Sequence, residues 1–282
     1  MLFASDLDQT LIFSHRSMGQ VRLDELVPVE RYEGRIISYM SHTSIERLRK
    51  LTNEVEFVPV TTRTVEQYRR IFYLADLCRP KYAITSNGGQ LLVDGKPDED
   101  WAQQIRLTLR DCSEAAEVKA RFDELAHPEW VVDTAFADEL FYAIRIHRDK
   151  LPLTELESFR VLLNSLGWKM SIQGRKLYLV PDGICKGRAL SHVAQLLGCS
   201  HLAAAGDSLL DESLLQAAHF AIAPRHGELF RHYGAADPSS FTFTDQSGLA
   251  ASEELLVRVQ SWFASIRNSI TNDADTTPLG IQ

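Results

Sequence analysis

Two aspartates, Asp6 and Asp8, stand directly after the apolar run Leu2-Phe3-Ala4, in the segment Asp6-Leu7-Asp8-Gln9-Thr10. One carboxylate at a strand end is an ordinary turn or helix cap. Two at this spacing leave the strand as it bends and can address a single centre. Three more stations follow. Thr61, just past Val58-Pro59-Val60, offers a hydroxyl and a backbone N–H to an anion, although a helix cap is the competing role with Thr64 close behind. Lys186, in Gly183-Ile184-Cys185-Lys186-Gly187, precedes an amphipathic helix, where ammonium and helix dipole together favour an anion. Asp207 and Asp211, in Gly206-Asp207-Ser208-Leu209-Leu210-Asp211, provide oxygen donors for a hard cation.

The elements that must carry these residues follow from periodicity. Apolar strands are expected at 2–4, 55–60, 82–85, 201–205 and 220–223. A capping box at Thr43 and Glu46 opens a helix with Ile45, Leu48 and Leu51, and a second at Thr64 and Gln67 opens one through Ile71 and Phe72. Further helices are expected at 187–197, from about 212, and over 252–266. The second half of residues 14–42 is expected to form a β-hairpin turning at Glu33-Gly34 over the mouth of the site, the alternative being a disordered surface loop. Strand and helix thus alternate at both ends of the chain, which implies an α/β fold with a doubly wound parallel sheet. Ligands bind such sheets at the carboxyl ends of the strands, where Asp6 and Asp8, Thr61, Asn87 and Asp207 all lie.

The middle of the chain reads differently. A helix around 110–126, strands 130–136 and 140–147, a helix 154–166 and strands 168–173 and 176–180 give an α-β-β-α-β-β insertion with antiparallel pairs. The last two strands meet at Gly174-Arg175, which pairs Gln173 with Lys176 and Ser171 with Tyr178. Alternation then puts Met170, Ile172, Leu177 and Leu179 under the insertion's helices. Lys169, Ser171, Gln173, Lys176 and Tyr178, joined by Arg145 and His147, form the other face. The helices leave that face free, and the resemblance described below implies that it closes over the site, with Arg145 and Lys176 on the leaving group. The expected organisation is a core in two parts, 1–97 and 182–267, an inserted cap, 98–181, and a flexible tail, 268–282.

Composition excludes several classes. Thirty basic against 38 acidic residues give a net charge of −8, which argues against a nucleic-acid partner. No window is apolar for long enough to span a membrane and no signal peptide is visible, so a cytoplasmic protein is expected. The four cysteines form no CxxC pair, and Cys185 and Cys199 with His192 and His201 match no familiar zinc spacing. No GxGxxG follows the first strand, which excludes a dinucleotide-binding protein.

In this order and on these elements, the four stations resemble the motifs of the haloacid dehalogenase (HAD) superfamily. Asp6-Leu7-Asp8-Gln9-Thr10 looks like its first motif, Thr61 its second, Lys186 its third, and Gly206-Asp207 with Asp211 its fourth. The insertion lies where the family places a type 2 cap. Ser86-Asn87-Gly88-Gly89 and the αββαββ order resemble the Cof-type and sucrose-phosphatase-like members. The stretch from Val58 through Thr61-Thr62-Arg63-Thr64, with Asn87-Gly88-Gly89, also looks like a HAD branch found beside tellurium-resistance genes. Gln9 and Thr62 stand where the family usually has glycine, and residues 14–42 are longer than the usual link.

The resemblance implies a phosphatase of a small phosphorylated metabolite, a sugar phosphate or nucleotide-like phosphomonoester. Asp6 would attack phosphorus and form an aspartyl-phosphate, while Asp8 would protonate the leaving oxygen and then activate water. Mg²⁺ would sit on the Asp6 carboxylate, the Asp8 backbone oxygen and Asp207, with Asp211 nearby. Thr61 and Lys186 would hold the transferring oxygens, and Thr62, Arg63 and Asn87 would meet the substrate. A phosphomutase or other phosphotransferase would use the same core residues. A non-catalytic relative would be expected to have lost Asp6, Asp8 or Lys186, and all three are present.

Overall fold

Leu2 to Ser5 are buried at every position and form strand β1 (Leu2–Ser5), a pattern that requires cover on both faces. The computed structural model describes residues 1–234 and 241–275. After β1 come the hairpin β2 (Leu26–Tyr32) and β3 (Arg35–Ser41), helix α1 (His42–Thr52), β4 (Glu56–Pro59), and the short helices α2 (Val65–Arg69) and α3 (Phe72–Leu77). Strands β5 (Tyr82–Thr85), β6 (Gln90–Val93) and β7 (Lys96–Pro97) precede helix α4 (Glu99–Thr108). The insertion contributes α5 (Ala115–Asp123), β8 (Val131–Ala137), β9 (Phe141–Ile146), α6 (Leu153–Ser165), β10 (Trp168–Gln173) and β11 (Lys176–Pro181). Then follow α7 (Lys186–Leu196), β12 (Leu202–Ala205), α8 (Glu212–Gln216), β13 (Phe220–Ala223), α9 (Glu228–Tyr233), β14 (Thr242–Phe243) and α10 (Leu249–Asp275).

The core is a five-stranded parallel sheet in the order β14-β13-β12-β1-β4. Alternation divides its side chains between two layers. Phe3, Phe57, Ala203, Ala205 and Ile222 face α1 and α10 through Ile45, Leu48, Leu255, Val259 and Phe263. Leu2, Ala4, Val58 and Ala204 face α4, α7 and α8 through Trp101, Ile105, Leu190, Val193 and Leu214. The strand expected at 82–85 reaches this sheet only through a parallel bridge between Val60 and Ile84. Its main partner is β6, in a small antiparallel sheet with β7.

The insertion folds as expected into αββαββ, with an antiparallel sheet in the order β10-β11-β9-β8. The register across Gly174-Arg175 pairs Gln173 with Lys176, Ser171 with Tyr178 and Met170 with Leu179, as the alternation predicts. Tyr142, Ile144, Met170, Leu177 and Leu179 pack under α5 and α6 against Val118, Phe122, Leu156 and Phe159. The cap boundary expected at residue 98 falls at the start of α4, whose Trp101 and Ile105 join the core cluster. The expected helix around 110–126 starts later, as α5, after a separate short turn at Leu109–Asp111. Asp98, the cap of α4, accepts from the Trp101 N–H at 2.7 Å.

Local signals elsewhere hold in part. The Thr64–Gln67 capping box is present, but the helix it opens stops at Arg69 and restarts as α3. The Arg70 carbonyl, which would continue it, accepts from the Arg31 N–H of β2 at 3.3 Å. The first capping box is corrected. Ser41, the last extended residue of β3, caps α1 by accepting from Ser44 N, in place of Thr43. The hairpin turns at Glu33-Gly34, both with positive φ (48° and 75°), the handedness that tight antiparallel turns demand. The last helix starts before residue 252 and continues to Asp275. The expected tail is therefore helical over 268–275, and 276–282 lie outside the described residues. Among the described residues, no helix is long and apolar enough to cross a membrane.

Candidate active site

Asp6 leaves β1 at its carboxyl end, and β12 alongside delivers Gly206-Asp207 to the same edge. Lys186 opens α7 and is 1% exposed. Its ammonium donates to Asp6 Oδ1 at 2.7 Å and to Asp211 Oδ1 at 2.5 Å. Asp211 Oδ2 accepts from the Ser208 N–H at 3.0 Å and the Ser208 hydroxyl at 2.7 Å. The turn is so tight that a Cβ at Gly206 would lie 2.4 Å from the Asp211 Cβ, so glycine is the residue that fits. Thr10 Oγ1 lies 3.4 Å from Asp6 Oδ2.

One carboxylate oxygen each from Asp6, Asp207 and Asp211 lie within 4.8 Å of one another, all buried. Burial and then Asp211 raise the Asp6 pKa to about 7, against the pull of Lys186. Burial, Asp6 and Asp211 hold Asp207 well above the ordinary carboxylate range. Burial works against the Lys186 charge, but Asp211 and Asp6 outweigh it and raise its pKa. Three buried carboxylates against one ammonium leave negative charge uncompensated, a donor set of hard oxygens that fits a divalent cation. Among the described residues, no donor hydrogen-bonds the Asp207 carboxylate, which favours it as a ligand. Asp211 has both oxygens committed to Lys186 and Ser208, and that fits it to orient them. Asp8 adds no carboxylate to this cluster.

The Asp8 carboxylate, 49% exposed, turns to Arg63, whose Nε and Nη2 each donate to it at 2.7 Å. Burial would raise the Asp8 pKa, but Arg63 overcomes it, helped by Lys176 and Lys186, and the pKa falls. The other side of the same guanidinium donates to Glu30 at 2.5 and 3.0 Å. Arg63, expected from sequence to meet the substrate, is thus held by two carboxylates at the edge of the cavity. Glu30 itself carried no signal in the sequence, being one acidic residue in a polar hairpin.

Two other expected site residues are engaged within the protein. Thr61 is buried, and its N–H is spent on the Ile84 carbonyl at 2.8 Å, leaving only its hydroxyl, which accepts from the Arg63 N–H. Asn87 is also buried, in a left-handed conformation (φ 57°) with its amide 3.5 Å from the Ile184 carbonyl. Beside it, a Cβ on Gly88 would lie 2.4 Å from the Cys185 carbonyl oxygen. Asn87 and Gly88 thus pack against the loop that carries Lys186.

A cavity of about 920 Å³ opens above the carboxylates. Asp6, Asp8, Thr62, Arg63, Lys186 and Asp207 line its floor, and Phe141, Arg145, Gln173, Lys176 and Tyr178 of the cap line its roof. His147 and Lys169, expected on that roof, do not line it, and Lys169 lies 3.4 Å from Asp182 instead. Arg145 lines the cavity but is bonded to Asp133 on the adjacent strand. The β2–β3 hairpin contributes Glu30 to the wall. The cap is tied down by Asp138, which accepts from the Val65 N–H at 3.0 Å and from the Ser86 hydroxyl.

The fold has well-defined counterparts. The sucrose-phosphatase of Synechocystis sp. PCC6803, solved in complex with sucrose and phosphate, is 16% identical with a TM-score of 0.67, over 92% of this chain and 97% of that one. A HAD subclass IIB sugar phosphatase is 14% identical with a TM-score of 0.55, over 93% and 98%. A HAD phosphatase from Bacteroides thetaiotaomicron is 16% identical with a TM-score of 0.54, over 92% and 94%. At these identities the similarity is one of fold. These matches give no support to the branch found beside tellurium-resistance genes, and no curated protein matches the chain. The family model of the sucrose-6F-phosphate phosphohydrolases matches residues 1–228. That span holds the whole carboxylate cluster and the whole cap, and on it the chain belongs to the sucrose-6F-phosphate phosphohydrolase family, among the phosphohydrolases of the HAD superfamily.

Proposed function

We propose that the protein is a Mg²⁺-dependent phosphatase that hydrolyses a small sugar phosphate through an aspartyl-phosphate on Asp6. The observation that carries this reading is the placement of Asp6, gripped by Lys186 and grouped with Asp207 and Asp211 at the floor of a capped cavity. An Asp6 carboxylate oxygen forms the new bond to phosphorus as the bond to the sugar oxygen breaks, and Asp8 gives that oxygen its proton. Asp8 then takes a proton from the water that attacks phosphorus, and inorganic phosphate and free Asp6 result. Arg63 keeps Asp8 ionised without substrate, which suits the second step. An arriving phosphate dianion raises the Asp8 pKa, which suits the first.

Lys186 and the Thr61 hydroxyl are the groups we assign to the transferring oxygens, where donors in a dry site stabilise developing charge. Asp6 and Asp207 would hold Mg²⁺, which when bound supplies the positive charge that lets an anionic nucleophile meet an anionic phosphate. The cap roof, with the Lys176 ammonium lining the cavity, is suited to the hydroxyls of a sugar leaving group. Family membership and the sugar-binding relative support a sugar phosphate over a nucleotide-like one. A panel of phosphorylated sugars, polyols and nucleotides assayed for inorganic phosphate tests the reading. Release from sugar phosphates with Mg²⁺ is expected, together with borohydride trapping of an acyl phosphate on Asp6. Return of the phosphoryl group to a sugar, with no phosphate released, would replace the phosphatase with a phosphomutase or other phosphotransferase.

A further inference from the structure

Glu30 lies on no strand of the core sheet, yet it is 1% exposed, and a carboxylate is rarely buried so far unless it is paired. Its Oε1 accepts from Arg63 Nη1 at 2.5 Å, its Oε2 from Arg63 Nη2 at 3.0 Å, and Ser38 across the hairpin donates to Oε2 at 2.5 Å. The remaining edge of the guanidinium binds both oxygens of Asp8. One planar cation is thus held in a fork on each side, an arrangement that fixes its plane as no single ion pair does.

The hairpin is built to deliver this side chain. Pro28 pairs with Tyr39, Glu30 with Ser38 and Arg31 with Ile36, so the register shifts on both sides of Glu30. Such bulges re-aim a side chain, and here Val29 packs into the core while Glu30 turns to Arg63. The strand is itself fastened to the end of α2, where the Arg31 N–H donates to the Arg70 carbonyl. Asp8, by contrast, is half-exposed, and among the described residues Arg63 is the group that hydrogen-bonds its carboxylate.

We infer that Glu30 is a positioning residue for Asp8: from the β2–β3 hairpin it anchors the Arg63 guanidinium, and that anchored fork aims the Asp8 carboxylate at the leaving oxygen. The inference rests on the reading of Asp8 as the acid of the first step. A proton donor acts only within hydrogen-bond reach of the atom it protonates, and small misplacements are costly. Removing Glu30 leaves Arg63 with a single carboxylate partner, so the Arg63–Asp8 pair swings as a unit and protonation of a poor leaving group suffers most.

The test compares kcat/KM for phenyl phosphate and p-nitrophenyl phosphate, since this constant covers the step in which the leaving oxygen is protonated. Asp8→Asn, Glu30→Gln and the double variant are each measured. Glu30→Gln is expected to lower the phenyl-to-nitrophenyl ratio by about tenfold, a fraction of what a general acid contributes. In the Asp8→Asn background the same change should move the ratio no further, because the two residues act through one carboxylate. If Asp8→Asn lowers the ratio but Glu30→Gln leaves it unchanged, or lowers it additively in the double variant, Glu30 is not positioning Asp8. If Asp8→Asn itself leaves the ratio unchanged, the acid reading fails and the inference goes with it. Should Glu30→Gln not fold, Ser38→Ala removes the hydroxyl that steadies the same carboxylate. It is expected to lower the ratio in the same direction, and no change there would equally overturn the inference.

Discussion

The Lys186 ammonium lies 2.7 Å from Asp6 Oδ1, across 180 positions of sequence. It also bonds Asp211, so a single cation serves two of the three clustered carboxylates. The deficit of positive charge is a physical property of the site, and most of the expected behaviour follows from it.

Asp6→Asn should lose at least about 10³-fold in kcat, because removing a covalent nucleophile disables the catalytic unit it belongs to. The same change takes one negative charge out of the buried cluster. In chelator at about pH 8 the variant should therefore melt no lower than the wild type. Thermal melts beside phosphate-release assays check both halves, and activity within tenfold of wild type would remove Asp6 from its role.

Stability should depend on pH in a direction set by Asp6 and Asp207. The folded Asp6 pKa is about 7 against an ordinary value of 3.8, so between these the folded state holds a proton that the unfolded state has lost. The contribution to stability is full below the unfolded value and is lost as pH rises through about 7. In EDTA this contribution falls between about pH 5.5 and pH 8. Mg²⁺, competing with the proton for the same oxygens, should raise the melting temperature more at the higher pH. Equal Mg²⁺ stabilisation at both pH values, or activity retained in excess chelator, would count against a metal on these carboxylates.

Gln9 carries a φ of 61° in the turn between the two motif aspartates and Thr10. A side chain there costs roughly 1–2 kcal/mol, and glycine, usual at this motif position, avoids that cost but loses some of the gain through a more flexible unfolded chain. Gln9→Gly should raise stability by about 0.5–1 kcal/mol in urea denaturation. A lower midpoint would show that the Gln9 side chain, which lines the cavity, makes a stabilising contact.

Lys176 and Arg145 stand opposite each other on the cap sheet, but Arg145 is bonded to Asp133, whereas among the described residues Lys176 has no carboxylate partner in an ion pair. Lys176→Ala should therefore lower kcat/KM for a sugar phosphate by about tenfold, the scale of a hydrogen bond to a charged group. The loss should exceed that for p-nitrophenyl phosphate, and Arg145→Ala should do less. Equal losses on both substrates, or a larger effect of Arg145, would contradict this reading of the roof.

Much of this arrangement is legible in the linear sequence. Short apolar runs just before Asp6, Thr61 and Asp207 place those groups at strand ends, because a parallel sheet buried on both faces admits little else. The cap hairpin is legible to the residue, since Gly174-Arg175 sets the turn and alternation sets the faces. The break after Arg69 is not, because the carbonyl that ends that helix is claimed by Arg31 from a distant hairpin. The cap of α1 falls at Ser41 rather than Thr43 for a related reason: β3 runs right up to it.

Sequence by itself determined which chemical groups reach the carboxyl edge of the sheet, for burial and periodicity are local properties that short segments express. Tertiary structure alone decided which of those groups are free and which are already engaged. Arg63 is spent on Asp8 and Glu30, the Thr61 N–H on Ile84, Asn87 on the loop of Lys186, and Arg145 on Asp133. Such partners are chosen by ångström-scale reach between side chains whose backbones lie far apart in the chain, and by bulges like the one at Glu30 that turn a side chain inward. Those distances are fixed only when the hairpin, the core and the cap pack against one another.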